Sequence, residues 1–178
     1  SAEAYYKRLY NQVDYRGDAF DFLNSAYSLD DVLLKGRGYN YGFNVMVHKQ
    51  AGMLTGWLSY SYGRALRRFN NPDYPSVYPA GHERIHEFSA VAACHLGKWD
   101  FGATFVFASG TPFTAPKSYY LVSGVIIPEY GEHNANRLRP YIRLDLSVSY
   151  SIVRNDRREC GLNFSLYNAT ARKNDLMY

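Results

Sequence analysis

The stretch RPYIRLDLSVSYSI, residues 139–152, constrains the fold of this chain more than any other. From Ile142 to Ile152 every even position is apolar, and from Arg143 to Ser151 every odd position is polar. Successive side chains of an extended strand point to opposite faces, so this period of two predicts a strand with one apolar and one polar face. The apolar face has to meet either a protein core or lipid, and the rest of the sequence must decide between them.

The same alternation recurs along the chain. It is clear in YNYGFNVMV, WDFGATFVF and CGLNFSLYN, and it is interrupted by Trp57 in LTGWLSYSY. The segment AYYKRLYNQV fits a less regular first strand, and HEFSAVAACHL is compatible with a strand or a helix. We predict seven strands, at about residues 3–14, 34–50, 53–67, 84–96, 98–109, 139–153 and 158–169.

Short and long connections alternate between these strands. The short ones are QAG, GK and RNDR, and the long ones cover about residues 15–33, 68–83 and 110–138. Two-residue turns join antiparallel neighbours, so strands adjacent in sequence are expected to be adjacent in the sheet. All short turns then lie at one end and all long loops at the other, which is typical of outer-membrane barrels.

The predicted strand length favours lipid over a soluble sandwich. Strands of about 11–14 residues extend roughly 36–46 Å, enough to cross a tilted path through an apolar band of about 25 Å. Sandwich strands are usually about 5–6 residues long with turns of mixed length. The 18 Tyr residues agree with this interpretation, because Tyr suits both strands and membrane–water boundaries.

These observations predict an all-β protein: an antiparallel up-and-down meander of about seven long strands. Single-chain bacterial outer-membrane barrels have at least eight strands and an even number of them. We therefore expect residues 1–178 to form one segment of a larger transmembrane β-barrel, with no plug domain.

Composition argues against several other classes. The formal net charge is only +4, without a run of five basic residues, so nucleic-acid binding has little support. No run of 18 apolar residues predicts a transmembrane helix, and the N-terminus has no signal-peptide core. Cys94 and Cys160 lack metal-site spacing and do not form a disulfide framework, which leaves their redox state open.

Four segments, in chain order, resemble TonB-dependent outer-membrane receptors. KGRGYNYGFNVMVHKQAGMLTGWLSYSYGRALRRF is similar to their G-x-G-x-x-x-G-x-E hairpin with its T-G-W-x-S-Y return strand. FASGTPFTAP is similar to their Y-x-S-G-x-P-x-T-x-P loop entry. NRLRPYIRLDLSVSYSI resembles their R-L-P-x-Y-x-R-L-D-L-S segment, and YNATARKNDLMY resembles the Y-N-x-x-N-R-K-N-P segment that follows it.

The resemblance implies a transporter component of the Gram-negative outer membrane rather than an enzyme, with no cofactor. Such receptors are plugged barrels of about 22 strands that import a scarce nutrient: an iron chelate, cobalamin, or a glycan or peptide. It also implies four partners: outer-membrane lipid, the plug domain, the remaining strands, and TonB through N-terminal regions. The sequence departs from the family pattern, because we find no plug, no TonB-contacting segment and no strand after Tyr178, and we expect no transport by this segment alone.

If the apolar faces meet lipid, the polar rows line the lumen. The expected lumen-facing residues are Asn40, Asn44, His48, Arg143, Asp145, Ser147, Ser149 and Asn163. Arg143 and Asp145 are the best candidates for holding a polar plug, because an arginine and a carboxylate anchor specific hydrogen bonds. The Pro-, Tyr- and Asn-rich loops NPDYPSVYPAGHE and TPFTAPKSYYLVSGVIIPEYGEHNANR are candidate ligand-binding regions. Within the second loop, YYLVSGVII fits an extra hairpin or a packed segment.

Two alternatives remain open from the residues alone. The segment HERIH, residues 82–86, matches H-E-x-x-H, which on a helix would place His82 and His86 around zinc with Glu83 as general base. A soluble up-and-down barrel would instead turn the apolar face inward around a small apolar ligand. Under the membrane interpretation, the isolated chain has two open edges and is expected to self-associate or to need detergent.

Overall fold

A computed structural model describes residues 1–15, 33–70, 75–122, 124–155 and 158–175 of the chain. These residues form β-strands and no helix. In chain order the strands are β1 (Ala2–Tyr15), β2 (Leu33–Lys49), β3 (Leu54–Phe69), β4 (Tyr78–Pro79), β5 (His86–Leu96), β6 (Trp99–Ala108), β7 (Pro112–Phe113), β8 (Pro116–Val122), β9 (Val125–Tyr130), β10 (Asn136–Arg137), β11 (Tyr141–Asn155) and β12 (Arg158–Leu166).

The long strands form one antiparallel meander in the order β1-β2-β3-β5-β6-β11-β12. Each of the seven predicted strands is present, with ends within three residues of the predicted ones. The ambiguous segment HEFSAVAACHL is strand β5. The predicted all-β up-and-down meander is therefore confirmed.

The turns at one end of the sheet are tight because glycine is present where the backbone requires it. Leu96 pairs directly with Trp99, so only Gly97 and Lys98 connect β5 to β6, and Gly97 has a φ of +64°. In the turn between β2 and β3, Gly52 has a φ of +97°. Positive φ values are accessible to glycine at little cost. We call this end of the sheet the short-turn end; of the turn predicted at RNDR, residues 156–157 lie outside the described part.

The opposite end carries the long connections. The first of these, residues 16–32, lies outside the described residues. In the second, β4 adds a short strand to the edge of β3. In the third, β7 pairs with β10 at the base, and β8 pairs with β9 as a separate hairpin that corresponds to the predicted YYLVSGVII element. We call this the long-loop end.

The sheet is open. In the described residues β1 pairs only with β2, and β12 pairs only with β11, so these two strands are the edges. Along β11, however, the segment that follows β12 continues the hydrogen bonding to the β11 backbone beyond the end of β12. The Asn174 side chain accepts a hydrogen bond from Ile142 N at 3.0 Å and donates one to Ile142 O at 2.9 Å. The Ala169 amide donates to Leu144 O.

Candidate functional site

The strand register joins the apolar rows of all seven long strands into a single surface. Residues directly opposite each other in an antiparallel pair share a face. Ile142 lies opposite Phe107, Phe107 opposite Phe88, and Phe88 opposite Tyr60. The resulting apolar face contains Ala2, Ala4, Tyr6, Tyr39, Tyr41, Phe43, Val45, Val47, Leu54, Leu58, Tyr60, Tyr62, Phe88, Ala90, Ala92, Cys94, Leu96, Trp99, Phe101, Ala103, Phe105, Phe107, Ile142, Leu144, Leu146, Val148, Tyr150, Leu162, Phe164 and Leu166.

Amphipathic aromatic residues lie at both ends of this face. Near the short-turn end, the rings of Trp99 and Tyr150 are 4.6 Å apart between centroids. Towards the long-loop end, the Phe43 ring lies 5.9 Å from that of Tyr60 and 5.7 Å from that of Tyr62. Aliphatic side chains and Phe fill the band between them. Transmembrane barrels have this arrangement, in which aromatic girdles flank an outward apolar band.

The apolar face is not buried by the chain. Phe101 is 44% exposed, Leu146 41% and Phe164 65%. The described residues with buried apolar side chains lie instead near the long-loop end: Ala65, Phe69, Tyr78, Ala80 and Ala108. A groove of about 410 Å³ crosses the apolar face, over the small residues Ala92 and Ala103. The face therefore has the apolar composition of a protein core, but the described residues do not cover it.

All eight predicted lumen residues lie on the opposite, polar face. Asn40 and Asn44 lie opposite Ala65 and Ser61. The other candidates, His48, Arg143, Asp145, Ser147, Ser149 and Asn163, follow the same alternation. Trp57, which interrupted the apolar pattern of its strand, also belongs to this face, opposite His48. The structure thus brings the candidates onto one wall, and their exposure to a lumen stays a prediction.

Arg143 and Asp145 form an ion pair with a distance of 3.0 Å between Arg143 Nε and Asp145 Oδ2. Both also hold the segment that follows β12. The Arg143 guanidinium donates to the Tyr167 hydroxyl at 2.9 Å and lies 4.8 Å from the centroid of its ring. The Asn168 amide donates to Asp145 Oδ1 at 2.9 Å. The pair therefore holds the segment after β12 against β11, in addition to its predicted contact with a plug.

Several of the remaining candidates make contacts along the polar face. Asn40 Oδ1 accepts a hydrogen bond from the buried Arg67 guanidinium at 3.0 Å. Asn163 Nδ2 donates to Ser149 Oγ at 2.6 Å. Ser147 lies against Gly102, where any Cβ would collide with its hydroxyl. Hydrogen-bonded polar side chains thus follow the wall over several strands.

The remaining candidate with a side-chain contact, His48, lies near the short-turn end. Its Nδ1 is 3.2 Å from Gln50 Nε2. This contact is local, and His48 is exposed.

At the long-loop end, a buried carboxylate, which the sequence suggested only as the general base of a zinc site, connects the chain segments around it. The side chain of Glu83 is 1% exposed. Its Oε2 accepts hydrogen bonds from Ala65 N at 2.7 Å and Arg64 Nε at 3.1 Å, and Arg137 donates to its Oε1. Arg137 is 54 residues away along the chain, so no local sequence signal could have revealed this cluster.

A second cluster joins the first strand to the last long connection. The Tyr78 hydroxyl donates to Asp14 Oδ2 at 2.7 Å, and His133 Nε2 lies 3.9 Å from the same oxygen. The Tyr78 and His133 rings meet edge to face at 4.7 Å. Asp14 belongs to the polar face of β1, so these contacts cover part of the polar face at the long-loop end.

A polar pocket of about 220 Å³ opens beside the Glu83 cluster. Its lining includes Tyr5, Asn40, His82 and Glu87. Asn40, one of the predicted lumen residues, is part of this lining, so the fold places it next to the long connections. This pocket and the loops around it combine a concave shape with charged side chains. They are therefore the part of the polar face best suited to bind a ligand.

The β8–β9 hairpin, in the second loop proposed for ligand binding, exposes large apolar or aromatic side chains on both of its faces. Leu121 is 73% exposed and Ile126 67% on one face, and Tyr120 is 54% exposed on the other. Hydrogen bonds from the Tyr120 and Ser118 hydroxyls to Glu129 stabilise its ionised carboxylate, and the Ser118 bond is the largest cause of its lowered pKa. Within the described residues the hairpin forms its own two-stranded sheet.

The zinc interpretation of HERIH is wrong about the local structure. His82 lies in a turn closed by a hydrogen bond from Glu83 N to Ala80 O, and His86 is the first residue of β5. Without a helix, His82 and His86 do not share a face, and His86 instead contacts the Tyr60 hydroxyl at 2.7 Å. The described part of the chain contains no group of three metal-ligating side chains.

Comparison of the chain with protein families, curated proteins and solved structures finds no match. No helix long and apolar enough to cross a membrane occurs in the described ranges. The geometry of the two faces is therefore the observation on which a function has to be built.

Proposed function

We propose that this chain is part of the wall of a transmembrane β-barrel in the Gram-negative outer membrane, with its apolar face towards lipid and its polar face towards the lumen. The observation that carries the proposal is the register. It aligns seven separate apolar rows into one exposed band with amphipathic aromatic residues at both ends. A bilayer removes that band from water, whereas each large apolar side chain left in water forgoes about 1.5–3 kcal/mol of burial free energy.

The apolar rows cover most of the height of a bilayer. Trp99 and Phe107 end the apolar row of β6 and are separated by about 26 Å along an extended strand, which is about 19–22 Å in height at a tilt of 35–45°. Outer-membrane barrels have an apolar band about 25 Å tall, crossed by strands that tilt by roughly 35–45°. The long strands also extend beyond this row in β2 and β3, as expected when they project from the membrane.

Within this class, we assign the chain to the barrel of a TonB-dependent receptor. This finer step rests on the four resembling segments, of which 35–69 covers nearly all of the β2–β3 hairpin and 136–152 covers most of β11. The proposed function is import of a scarce nutrient: an iron chelate, cobalamin, or a glycan or peptide. The plug domain, the remaining strands and TonB are the partners that it entails, and the chain has no catalytic task in it.

The competing soluble carrier requires the apolar face to enclose a ligand inside a closed barrel. In the described residues, β1 and β12 do not pair with each other. The Asp14 cluster covers part of the polar side, and Glu83 lines a pocket on that side with Tyr5 and Asn40. Both observations favour the membrane-embedded sheet over the carrier.

Spin labels at two adjacent residues of β11 test the proposal. In a chain with Cys94 and Cys160 replaced by Ser, Leu146→Cys and Ser147→Cys are labelled separately in lipid nanodiscs. We expect the label at 146 to be accessible to oxygen dissolved in lipid, and the label at 147 to be accessible to a water-soluble nickel chelate. Phe105 and Thr104 of the neighbouring strand provide a second matched pair. The reverse pattern, with 147 in lipid and 146 enclosed by protein, would refute the membrane orientation.

A further inference from the structure

Four cationic side chains lie on the apolar side of the sheet, just beyond its tyrosines at the long-loop end. We call Arg8, Lys35, Arg37 and Arg68 the basic patch; all four are exposed. The register places Arg8 opposite Tyr39, and Lys35 opposite Val13, on the same side of the sheet as the apolar face. The patch therefore begins where the tyrosine rows of β1 and β2 end.

Two of these cations oppose each other directly. Arg37 on β2 pairs in register with Arg68 on β3. Like charges in this position have their Cβ atoms about 4.5–5.5 Å apart and destabilise a sheet. A sheet tolerates such a pair at low cost when an anion lies between the two guanidinium groups.

The described residues provide no anion for the patch. None of their ion pairs includes any of its four members. The two acidic residues of β1, Glu3 and Asp14, are on the polar face, and β2 and β3 contain no acidic residue. Side chains of the patch contact tyrosines: the Arg37 guanidinium lies 6.0 Å from the centroid of the Tyr10 ring, and Arg8 Nε donates to the Tyr6 hydroxyl at 3.3 Å.

We infer that the basic patch binds the phosphate groups of anionic lipid headgroups in the leaflet next to the long-loop end. The inference rests on the proposed function, because it places the patch at the headgroup level of the same bilayer that covers the apolar face. Arginine is suited to this ligand, since its planar guanidinium donates two parallel hydrogen bonds to phosphate oxygens. Tyrosine rings at the membrane–water interface position these cations immediately outside the apolar region.

The opposite face provides a matched control. Lys7 precedes Arg8 on β1 but lies opposite Asn40 on the polar face. Lys98 is also exposed and lies in the tight turn at the short-turn end. Lys7→Gln with Lys98→Gln therefore removes the same charge as Arg37→Gln with Arg68→Gln, but from the opposite face and from the opposite end of the sheet.

The experiment has two readouts on the 178-residue chain in phosphatidylcholine nanodiscs. Quenching of Trp99 by brominated lipid, in a Trp57→Phe background, reports whether the apolar face contacts lipid. Partition of trace fluorescent diphosphoryl lipid A between these nanodiscs and empty ones reports headgroup binding. We expect quenching together with preferential partition, and a loss of that preference by roughly 30-fold in Arg37→Gln with Arg68→Gln, since each cation near a bilayer surface contributes about fivefold.

Each outcome bears on the inference. Quenching without preferential partition, or with partition unchanged in the arginine variant, overturns the headgroup site and leaves the proposed function intact. No quenching overturns both. If the lysine control lost its preference for lipid A to the same extent, net charge alone would explain the binding, and this result would also overturn the site. Displacement of lipid A by millimolar inorganic phosphate would identify a site for free phosphate instead.

A conservative variant keeps the inference testable if the glutamine variant does not fold. Arg37→Lys with Arg68→Lys retains both charges and removes the bidentate hydrogen bonds. We expect it to bind lipid A more weakly than the wild type, with the Trp99 quenching unchanged. Affinity equal to that of the wild type would contradict phosphate recognition by the two guanidinium groups.

Discussion

The Arg137 guanidinium donates a hydrogen bond to the buried carboxylate of Glu83, although 54 residues separate the two along the chain. Glu83 precedes β5 and Arg137 precedes β11, so this contact fixes two of the long connections to each other. Arg64 and the Ala65 amide bind the other carboxylate oxygen, which also fastens both connections to β3. These polar contacts thus join the long connections at the end of the sheet where the buried apolar side chains of the described residues also lie.

Replacing Glu83 should therefore destabilise the long-loop end. We expect Glu83→Gln to lower the free energy of unfolding by about 2–4 kcal/mol, because it leaves two arginines without their buried counter-charge. Urea unfolding in detergent micelles measures the change. Glu87→Gln is the matched control: Glu87 is 51% exposed and 3.8 Å from Arg84, so its loss should cost at most about 0.5 kcal/mol. Equal effects at the two positions would contradict the structural role of Glu83.

The two native cysteines report depth in the membrane without any substitution. Cys94 lines the groove on the apolar face, opposite Phe101 and inside the level of Trp99, whereas Cys160 is exposed and pairs with Val153, beyond the level of Trp99 at the short-turn end. In bilayers, a water-soluble maleimide should modify Cys160 and spare Cys94, because lipid excludes the reagent from the apolar band. Both should react in urea. Mass spectrometry of the labelled chain decides, and rapid labelling of Cys94 in intact bilayers would contradict a lipid-facing position.

Asn174 replaces a missing strand neighbour along β11. Its side-chain amide makes hydrogen bonds with both backbone groups of Ile142. We expect Asn174→Ala to cost about 1–3 kcal/mol for two lost hydrogen bonds, and to accelerate hydrogen exchange of the Ile142 amide by at least about tenfold. Lys173→Ala, at an exposed neighbouring position, should leave that exchange rate unchanged. Slow exchange at Ile142 in the Asn174 variant would show that the edge is protected by something else.

The Arg139–Asp175 ion pair should make the end of the described chain sensitive to acid. Hydrogen bonds from Arg139, at 3.0 and 2.7 Å, hold the pKa of Asp175 below its ordinary value of 3.8. A carboxylate with a lowered pKa in the folded state stabilises the fold above its unfolded pKa, and the stabilisation is lost as the pH falls through the folded pKa. We expect Arg139→Gln to raise the pKa of Asp175 towards 3.8, measured by NMR titration of its carboxyl carbon. An unchanged titration midpoint would rule out the pair as the cause.

Without lipid, the sheet should not remain a monomer. The edges of β1 and β12 and the exposed apolar face each favour association in water. We expect the detergent-free chain to form oligomers or aggregates in size-exclusion chromatography with light scattering, and to become monomeric after detergent is added. A stable detergent-free monomer would count against an open sheet with an exposed apolar face.

The local structure of this chain could be predicted from its sequence. The period-two alternation predicted most of the long strands, although β1 was less regular and the β5 segment was also compatible with a helix; the alternation of short and long connections predicted the meander. Both signals are local, because strand periodicity and tight turns depend on residues close together along the chain. The H-E-x-x-H match failed for the same reason: a five-residue motif carries no information on whether its surroundings form a helix, and His86 begins a strand instead.

Only the tertiary structure decided which rows share a face and which distant residues meet. A shift of one residue in the pairing of any two strands would move a whole apolar row to the other side, and the alternation alone does not specify the pairing. The register placed Leu146 in line with Ala103 and Ala92, and it set Arg37 opposite Arg68. The contact between Glu83 and Arg137 likewise depends on how two long connections fold over the sheet. The sequence by itself therefore determined the strands and their two-faced character, and the packing between distant segments determined the continuous apolar band, the basic patch and the buried carboxylate.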